Sequence, residues 1–168
     1  MTVVVSRYDP AINYPGQKQF DCGHQAINDF VHKSLKSQVK KGLSVAYLLT
    51  DPAQGDRFVG FYTIAQHTIS LSVLSSIQLT GLPRTIPCTR LVMLGVDLAY
   101  TGQHMGARLM KDALRLTKTT AAHVGSFGMY LDADPGAFGF YEKLGFTPLE
   151  GNLTPKTSPM FLPLSGIP

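Results

Sequence analysis

The chain has 168 residues, a net charge of +4, and 44% hydrophobic residues. This length predicts a single domain over residues 1–168 with a substantial buried core. Apolar runs all fall short of the roughly 18 residues that a membrane helix needs, which argues against an integral membrane protein. The N-terminus lacks a signal-peptide pattern, and Cys22 and Cys88 lack metal-ligand spacing. We therefore expect a cytoplasmic protein with no structural disulfide and no metal.

Hydrophobic periodicity and turn residues predict ten elements in the order β-α-α-β-β-β-α-β-α-β. This order indicates an α/β (α+β) protein with a mixed sheet flanked by helices. Proline residues indicate that residues 83–87 form a loop. The predicted elements are a strand at 3–7, one or two helices within 21–41, strands at 44–50, 58–71 and 91–98, a helix at 105–122, a strand at 128–131, a helix at 136–144 and a strand at 159–164.

The most informative segment is an apolar strand that leads through a glycine turn into a helix. The first turn of a helix carries N–H groups without internal partners and about half a positive charge. Gly102 and Gly106 allow a bulky phosphate to approach the main chain. The pattern is typical both of an ordinary tight turn and of a phosphate site. The phosphate site would consist of Gly102, Gln103, His104, Met105, Gly106 and Ala107.

Residues 17–41 carry five lysines against two aspartates. On a helical wheel, Ile27, Phe30, Val31, Leu35 and Val39 fall on one face, whereas Lys33, Lys36 and Lys40 fall on the other. One interpretation is a solvated face of an amphipathic helix. The other is a surface that contacts the phosphates of a nucleic acid.

Two segments together resemble the GNAT superfamily of N-acetyltransferases. Residues 94–106 (LGVDLAYTGQHMG) resemble its motif A, and residues 140–146 (FYEKLGF) resemble the end of its motif B at a matching separation. Motif A reads Arg or Gln, two residues, Gly, one residue, then Gly or Ala. Aligned on Gly106, this chain has Thr101 at the first position and His104 in place of the first glycine.

The whole chain is similar to the toxin branch of this superfamily, the TacT, AtaT and ItaT group. The similarity rests on residues 20–23 (FDCG), 27–30 (INDF), 59–64 (VGFYTI) and 158–164 (SPMFLPL). It implies a GNAT fold and acetyl transfer from acetyl-CoA to the α-amine of aminoacyl-tRNA, which blocks translation. It also implies a ribbon-helix-helix antitoxin as partner, a homodimer, and no DNA binding by the toxin alone.

The resemblance also implies roles for individual residues. The pyrophosphate of acetyl-CoA would bind at residues 102–107, and the main chain of Leu94 and Val96 would pair with the pantetheine arm. The Val96 N–H would stabilise the oxyanion, and Tyr141 would protonate the departing thiolate. Asp134, Ala137 and Phe140 would also contact the cofactor. From the residues alone, we favour Asp134 as the cap of the following helix, and both roles can coexist.

Binding of tRNA would fall to Lys33, Lys36, Lys40 and Lys41, with Arg84 and Arg90 as weaker candidates. No carboxylate stands out as a general base, which agrees with an aminoacyl ester because its amine is less basic than that of a free amino acid. Two alternatives stay open: acetylation of a small amine or of a peptide or protein N-terminus, and a non-catalytic GNAT-fold binding protein.

Overall fold

The computed structural model describes residues 2–77, 79–149 and 157–168. These residues form seven strands, in the sheet order β1-β2-β3-β4-β5-β7-β6, and four α-helices. The strands are β1 (Val4–Arg7), β2 (Val45–Asp51), β3 (Arg57–Ser70), β4 (Thr85–Val96), β5 (Gly128–Ala133), β6 (Thr147–Pro148) and β7 (Ser158–Pro163). The helices are α1 (Gln25–Lys33), α2 (Leu35–Lys40), α3 (Met105–Ala121) and α4 (Phe138–Lys143). The mixed sheet and the order of the ten predicted elements are confirmed.

Strand β4 begins at Thr85, so the prediction of a loop at residues 83–87 is wrong for most of that segment. The reason is that buried and exposed side chains alternate here as they do in a strand: Ile86 and Cys88 are buried, whereas Thr85 and Pro87 are exposed. Pro87 has no N–H to donate, but its carbonyl accepts a hydrogen bond from the N–H of Phe127 at 2.8 Å. A proline is therefore compatible with this strand.

Other differences from the prediction are local. The region 21–41 forms two helices that meet at Ser34, and the helix predicted from Gly136 begins as a 3-10 turn, Pro135–Ala137, followed by α4. Strand β6, two residues that pair with β7, was not predicted because so short a segment has no periodicity.

The chain folds as two compact units. Unit 1 comprises Met1–Ala65 and Val92–Ala113, and in it β1, β2 and β3 pair antiparallel. Its core contains Phe20, whose ring packs edge-on against Phe58 at 5.2 Å and against Phe61 at 5.8 Å. The apolar face predicted for residues 27–39 packs against this core. Burial of each such large side chain stabilises the fold by about 1.5–3 kcal/mol.

Unit 2 comprises Gln66–Leu91 and Leu114–Pro168. Strands β4 and β5 pair in parallel at Thr89 with Met129, as expected for strands that a helix connects, and β7 pairs antiparallel with β5. A second apolar core includes Cys88 and Phe161. Cys22 and Cys88 are both free thiols. No helix among the described residues is long and apolar enough to span a membrane.

Candidate functional site

Strand β4 ends in unit 1 at Val96, and the next residue, Asp97, accepts hydrogen bonds through its side chain. The Asp97 carboxylate is buried and accepts hydrogen bonds from the N–H of Ala99 at 2.9 Å and from the N–H of Asp21 at 3.4 Å. The bond to Ala99 begins a 3-10 turn, Leu98–Tyr100, directly after the strand. This turn fixes where the strand ends and the glycine loop begins.

The glycine loop, residues 101–104, contains two residues in the left-handed region. Gly102 has φ +77° and His104 has φ +59°. His104 stands where motif A has a glycine, and it adopts the backbone conformation that favours glycine. The departure from the motif therefore changes the side chain while the left-handed backbone is kept.

The loop and the start of α3 suit a diphosphate such as that of coenzyme A. A Cβ added to Gly102 would meet nothing within 4 Å, so the loop is open on this side. Among the described residues, the N–H groups of Gly102, Gln103 and His104 have no hydrogen-bond partner. The first turn of α3 has no acidic residue to compete for the helix N-terminus. Met105, Gly106 and Ala107 form that turn. The six predicted phosphate-site residues are therefore the end of the loop and the first turn of α3.

Leu94 and Val96 are the half-buried residues on either side of Gly95 near the end of β4. A Cβ at Gly95 would lie 3.1 Å from Ile27 and 3.3 Å from Phe20. Gly95 therefore allows the start of α1 to pack closely against this strand. Because side chains alternate along a strand, Leu94 and Val96 project to the opposite face.

Unit 2 holds Tyr141, the predicted general acid. Tyr141 lies in α4, is only 8% exposed, and packs edge-on against Phe140 at 5.1 Å and Phe146 at 5.8 Å. Burial, assisted by the negative charge of Asp134, raises the pKa of Tyr141 to about 12. The phenol is therefore protonated at neutral pH, as a proton donor must be.

Asp134 stands at the N-cap position before the turn Pro135–Ala137, but its side chain makes no capping hydrogen bond. The prediction of a side-chain cap is wrong. The turn is closed instead by the carbonyl of Asp134, which accepts a hydrogen bond from the N–H of Ala137 at 2.9 Å. Pro135, at the first position of the turn, has no N–H to be capped.

A groove of about 790 Å³ in unit 1 collects the basic residues of the N-terminal segment. One wall is formed by α1 and α2, and the other by residues 12–19 with Tyr8, whose ring stacks on that of Tyr14 at 5.3 Å. No aspartate or glutamate of the described chain lines the groove. The lysines that line it are Lys18, Lys33, Lys36, Lys40 and Lys41.

The two arginines proposed for tRNA belong to unit 2, whereas these lysines belong to unit 1. Arg84 is exposed, and its backbone carbonyl accepts a hydrogen bond from the N–H of Leu71. Arg90 forms an ion pair with Asp132 at 3.1 Å and lies over the ring of Tyr130 at 6.0 Å. The charge of Arg90 is therefore already compensated, which makes it a poorer phosphate ligand than Lys36, Lys40 and Lys41. Lys33 is also paired, with Asp29 at 3.9 Å.

Sequence reasoning did not find the buried pair of Asp51 and Tyr100. The Tyr100 hydroxyl donates a hydrogen bond to Asp51 at 3.0 Å across 49 residues of chain. The dipeptide Asp51-Pro52 predicted only a turn, and no local signal connects it with Tyr100. Among the described residues, no group of three or more His, Cys, Asp or Glu side chains is placed to hold a metal ion.

Comparison with known proteins gives matches over nearly the whole chain. A family model for an acetyltransferase (GNAT) domain matches residues 19–160. The probable toxin TacT of Sinorhizobium fredii (strain NBRC 101917 / NGR234) is 26% identical over 174 residues, which cover 98% of this chain and 92% of TacT. A crystal structure of a bacterial toxin is 36% identical with a TM-score of 0.94, covering 99% of this chain and 93% of that chain.

Structures of the toxin AtaT with bound ligands are also similar to this chain. AtaT complexed with acetyl-methionyl-tRNAfMet is 27% identical with a TM-score of 0.88, covering 99% of this chain and 97% of AtaT. An AtaT mutant bound to acetyl-CoA and the C-terminus of the antitoxin AtaR is 26% identical with a TM-score of 0.81, covering 98% of this chain and 95% of that chain. The similarity thus includes proteins that hold a donor, an acetylated tRNA and an antitoxin.

Proposed function

Because the chain belongs to the GNAT acetyltransferase family, we propose that it transfers the acetyl group of acetyl-CoA to the α-amine of aminoacyl-tRNA. We further propose that it acts as the translation-blocking toxin of a toxin–antitoxin pair. The observation that carries the choice of acceptor is the groove of five lysines, which no carboxylate of the described residues lines. A small amine needs no such surface, whereas the backbone of a tRNA acceptor stem requires one.

The proposed donor site uses main-chain groups for most of its contacts. The N–H groups of residues 102–107 and the positive end of α3 hold the pyrophosphate, and the main chain of Leu94 and Val96 holds the pantetheine arm. Asp134, Ala137 and Phe140 are assigned to the same cofactor. Bound acetyl-CoA supplies an activated acetyl group. The N–H of Val96 donates a hydrogen bond to the acyl oxygen as negative charge develops there.

Tyr141 is assigned the role of general acid. Its raised pKa keeps the hydroxyl protonated, so it can give a proton to the sulfur as the thiolate departs. The α-amine of an aminoacyl ester is partly neutral near pH 7 because the ester lowers its basicity. A dedicated general base is therefore not required for this acceptor.

The acceptor surface is assigned to Lys33, Lys36, Lys40 and Lys41, with Arg84 as an outlying contact. Their positive charges attract the tRNA phosphates at a distance and release counterions on contact. Activity on tRNA should accordingly fall steeply as salt rises. The further partners that we propose are a ribbon-helix-helix antitoxin and a second copy of the chain, in the cytoplasm. The toxin by itself is not expected to bind DNA.

The direct test is incubation with labelled acetyl-CoA and total charged tRNA, followed by identification of the acetylated aminoacyl-tRNA. Label recovered on the amino acid of one or more aminoacyl-tRNAs is the expected result. Parallel reactions offer small amines and peptides with free N-termini, and label found only on those acceptors would refute the choice of acceptor. Failure to bind acetyl-CoA in a calorimetric titration would instead indicate a non-catalytic binding protein.

The groove is tested by reversing two of its charges. In the double variant Lys36→Glu with Lys40→Glu, acetylation of tRNA should fall at least tenfold whereas the affinity for acetyl-CoA is unchanged. The matched control is Lys111→Glu with Arg115→Glu, an exposed pair at the same spacing on α3 that makes the same change in charge. Equal loss of tRNA acetylation in both variants would mean that only net charge matters.

A further inference from the structure

The hydrogen bond from Tyr100 to Asp51 joins the glycine loop to the turn between β2 and β3. Asp51 is the last residue of β2 and is 3% exposed. Its Oδ1 accepts a hydrogen bond from the N–H of Ala53 at 3.0 Å, and its Oδ2 accepts one from the Tyr100 hydroxyl at 3.0 Å. Both carboxylate oxygens therefore have a donor, as a buried charge requires.

Tyr100 is the residue directly before the loop and is 8% exposed. Its N–H donates to the carbonyl of Asp97 at 2.9 Å, so both its main chain and its side chain are held. Burial, followed by the Asp51 hydrogen bond, raises the pKa of Tyr100, which keeps the hydroxyl a donor. The entrance of the loop is thus tied to two different segments of unit 1.

The loop itself has few bonds to hold its shape. The N–H groups of Gly102, Gln103 and His104 have no partner within the described part of the chain, and all three residues are exposed. At its far end, the loop is held by α3, whose Met105 and Leu109 are buried. The positions of the loop N–H groups therefore depend on the two ends. The first end is held by the Thr101 hydroxyl, which donates to the carbonyl of Leu98 at 3.0 Å, and by Tyr100, which bonds to the distant Asp51.

We propose that Tyr100 and Asp51 are positioning residues for acetyl-CoA, which hold the glycine loop so that its N–H groups converge on the pyrophosphate. This inference rests on the proposed placement of the pyrophosphate at residues 102–107. A binding loop held in its bound shape before the ligand arrives avoids the entropy cost of ordering. Loss of the anchor should weaken binding of the pyrophosphate and leave the acetyl-transfer step intact.

The test compares two acetyl donors with the variant Tyr100→Phe. Acetyl-CoA contains the pyrophosphate, whereas S-acetylpantetheine lacks it. We expect the KM for acetyl-CoA to rise roughly fivefold or more, the usual scale for one fixed hydrogen bond, with kcat at saturation unchanged. The kcat/KM for S-acetylpantetheine should stay at the wild-type value. A merely structural defect would lower kcat/KM for both donors by the same factor. That outcome, or an unchanged KM for acetyl-CoA, would overturn the proposal.

Tyr62→Phe is the matched control, because Tyr62 is also a buried tyrosine that donates to a carboxylate, Asp112 at 2.6 Å. Asp112 lies seven residues into α3, two turns from the loop, so this variant should keep the wild-type ratio between the two donors. Asp51→Asn has one acceptor oxygen for the two donors, Ala53 and Tyr100, so it should shift the KM less than Asp51→Val, which has none. If Tyr100→Phe fails to fold, Asp51→Asn and Asp51→Val replace it, with the larger KM increase expected in Asp51→Val.

The placement of the pyrophosphate is tested separately with Gly102→Asp, whose carboxylate would repel a phosphate. If this variant uses both donors as well as the wild type does, the placement itself is wrong. If Gly102→Asp loses acetyl-CoA selectively but Tyr100→Phe does not, the placement stands and the positioning role is refuted.

Discussion

Substitution of His104 by glycine should stabilise the protein, although it removes an entire side chain. His104 has φ +59°, and an L-residue in this region costs about 1–2 kcal/mol. Glycine avoids this cost but gives up about 0.5–1 kcal/mol through the greater freedom of the unfolded chain. The net gain in the free energy of unfolding is therefore about 0–1.5 kcal/mol, with a central value near 0.75 kcal/mol. For a chain of 168 residues, the central value corresponds to a rise in Tm of roughly 1.5–3 °C.

The assay is urea denaturation followed by circular dichroism, with the stabilisation read from the midpoint at constant slope. Gln103→Gly is the matched control because Gln103 is the adjacent exposed residue and lies outside the positive-φ set. It should destabilise by about 0.5–1 kcal/mol, since glycine there relieves nothing. Asp56 is the other non-glycine residue with positive φ within residues 2–77, 79–149 and 157–168. The urea midpoint of Asp56→Gly should shift in the same direction as that of His104→Gly.

The same variant tests what the histidine contributes to cofactor binding. Because the loop N–H groups and the left-handed backbone are retained, the KM of His104→Gly for acetyl-CoA should stay within about twofold of wild type. A midpoint lowered as much as in Gln103→Gly would refute the assignment of strain to His104. A large increase in KM would show that its imidazole, rather than its backbone, serves the ligand.

Single substitutions in both units test the loop, the packing of unit 2 and the general acid. Gly102→Asp should weaken acetyl-CoA binding at least tenfold, whereas Gly102→Asn, which tolerates the same left-handed φ without the charge, should not, as calorimetry will measure. Gly128→Ala should lower the free energy of unfolding by about 1–3 kcal/mol because its Cβ would overlap the carbonyl oxygen of Leu162. Gly125→Ala, whose Cβ would meet nothing within 4 Å, is the control in urea denaturation. Tyr141→Phe should lower kcat tenfold or more, and near-wild-type turnover would exclude Tyr141 as the acid. A difference titration against wild type at 295 nm should place the pKa of the Tyr141 phenol near 12.

Alkaline pH should also act on stability through Tyr141. Its pKa is about 12 in the folded protein and near 10 in the unfolded chain, so the unfolded chain loses its proton first. The contribution of this group is fully present below pH 10 and is lost as pH rises from 10 to 12. The unfolding free energy of wild type should therefore fall relative to that of Tyr141→Phe over this interval. A constant difference would contradict the raised pKa.

Local chemistry predicted most of the elements correctly. The apolar face at residues 27–39, the helix from Met105 and the strand–turn–helix order are encoded by periodicity and glycine over short stretches. The start of β4 was not predicted, because Pro83 and Pro87 are typical of loops whereas burial of Ile86 and Cys88 favours a strand. Burial depends on the rest of the fold, and tertiary packing here outweighed local propensity.

By itself, the sequence predicted most of the helices and strands, the place of the glycine loop, and the residues that we propose to bind phosphate. These properties depend on the nearest few residues along the chain. Only the tertiary structure decided that Asp51 meets Tyr100 across 49 residues and that residues 12–19 face the lysines of α1 and α2 across a groove. The physical reason is that contacts between distant segments are selected by burial and hydrogen bonding in the folded chain, and they leave no periodic trace in either segment.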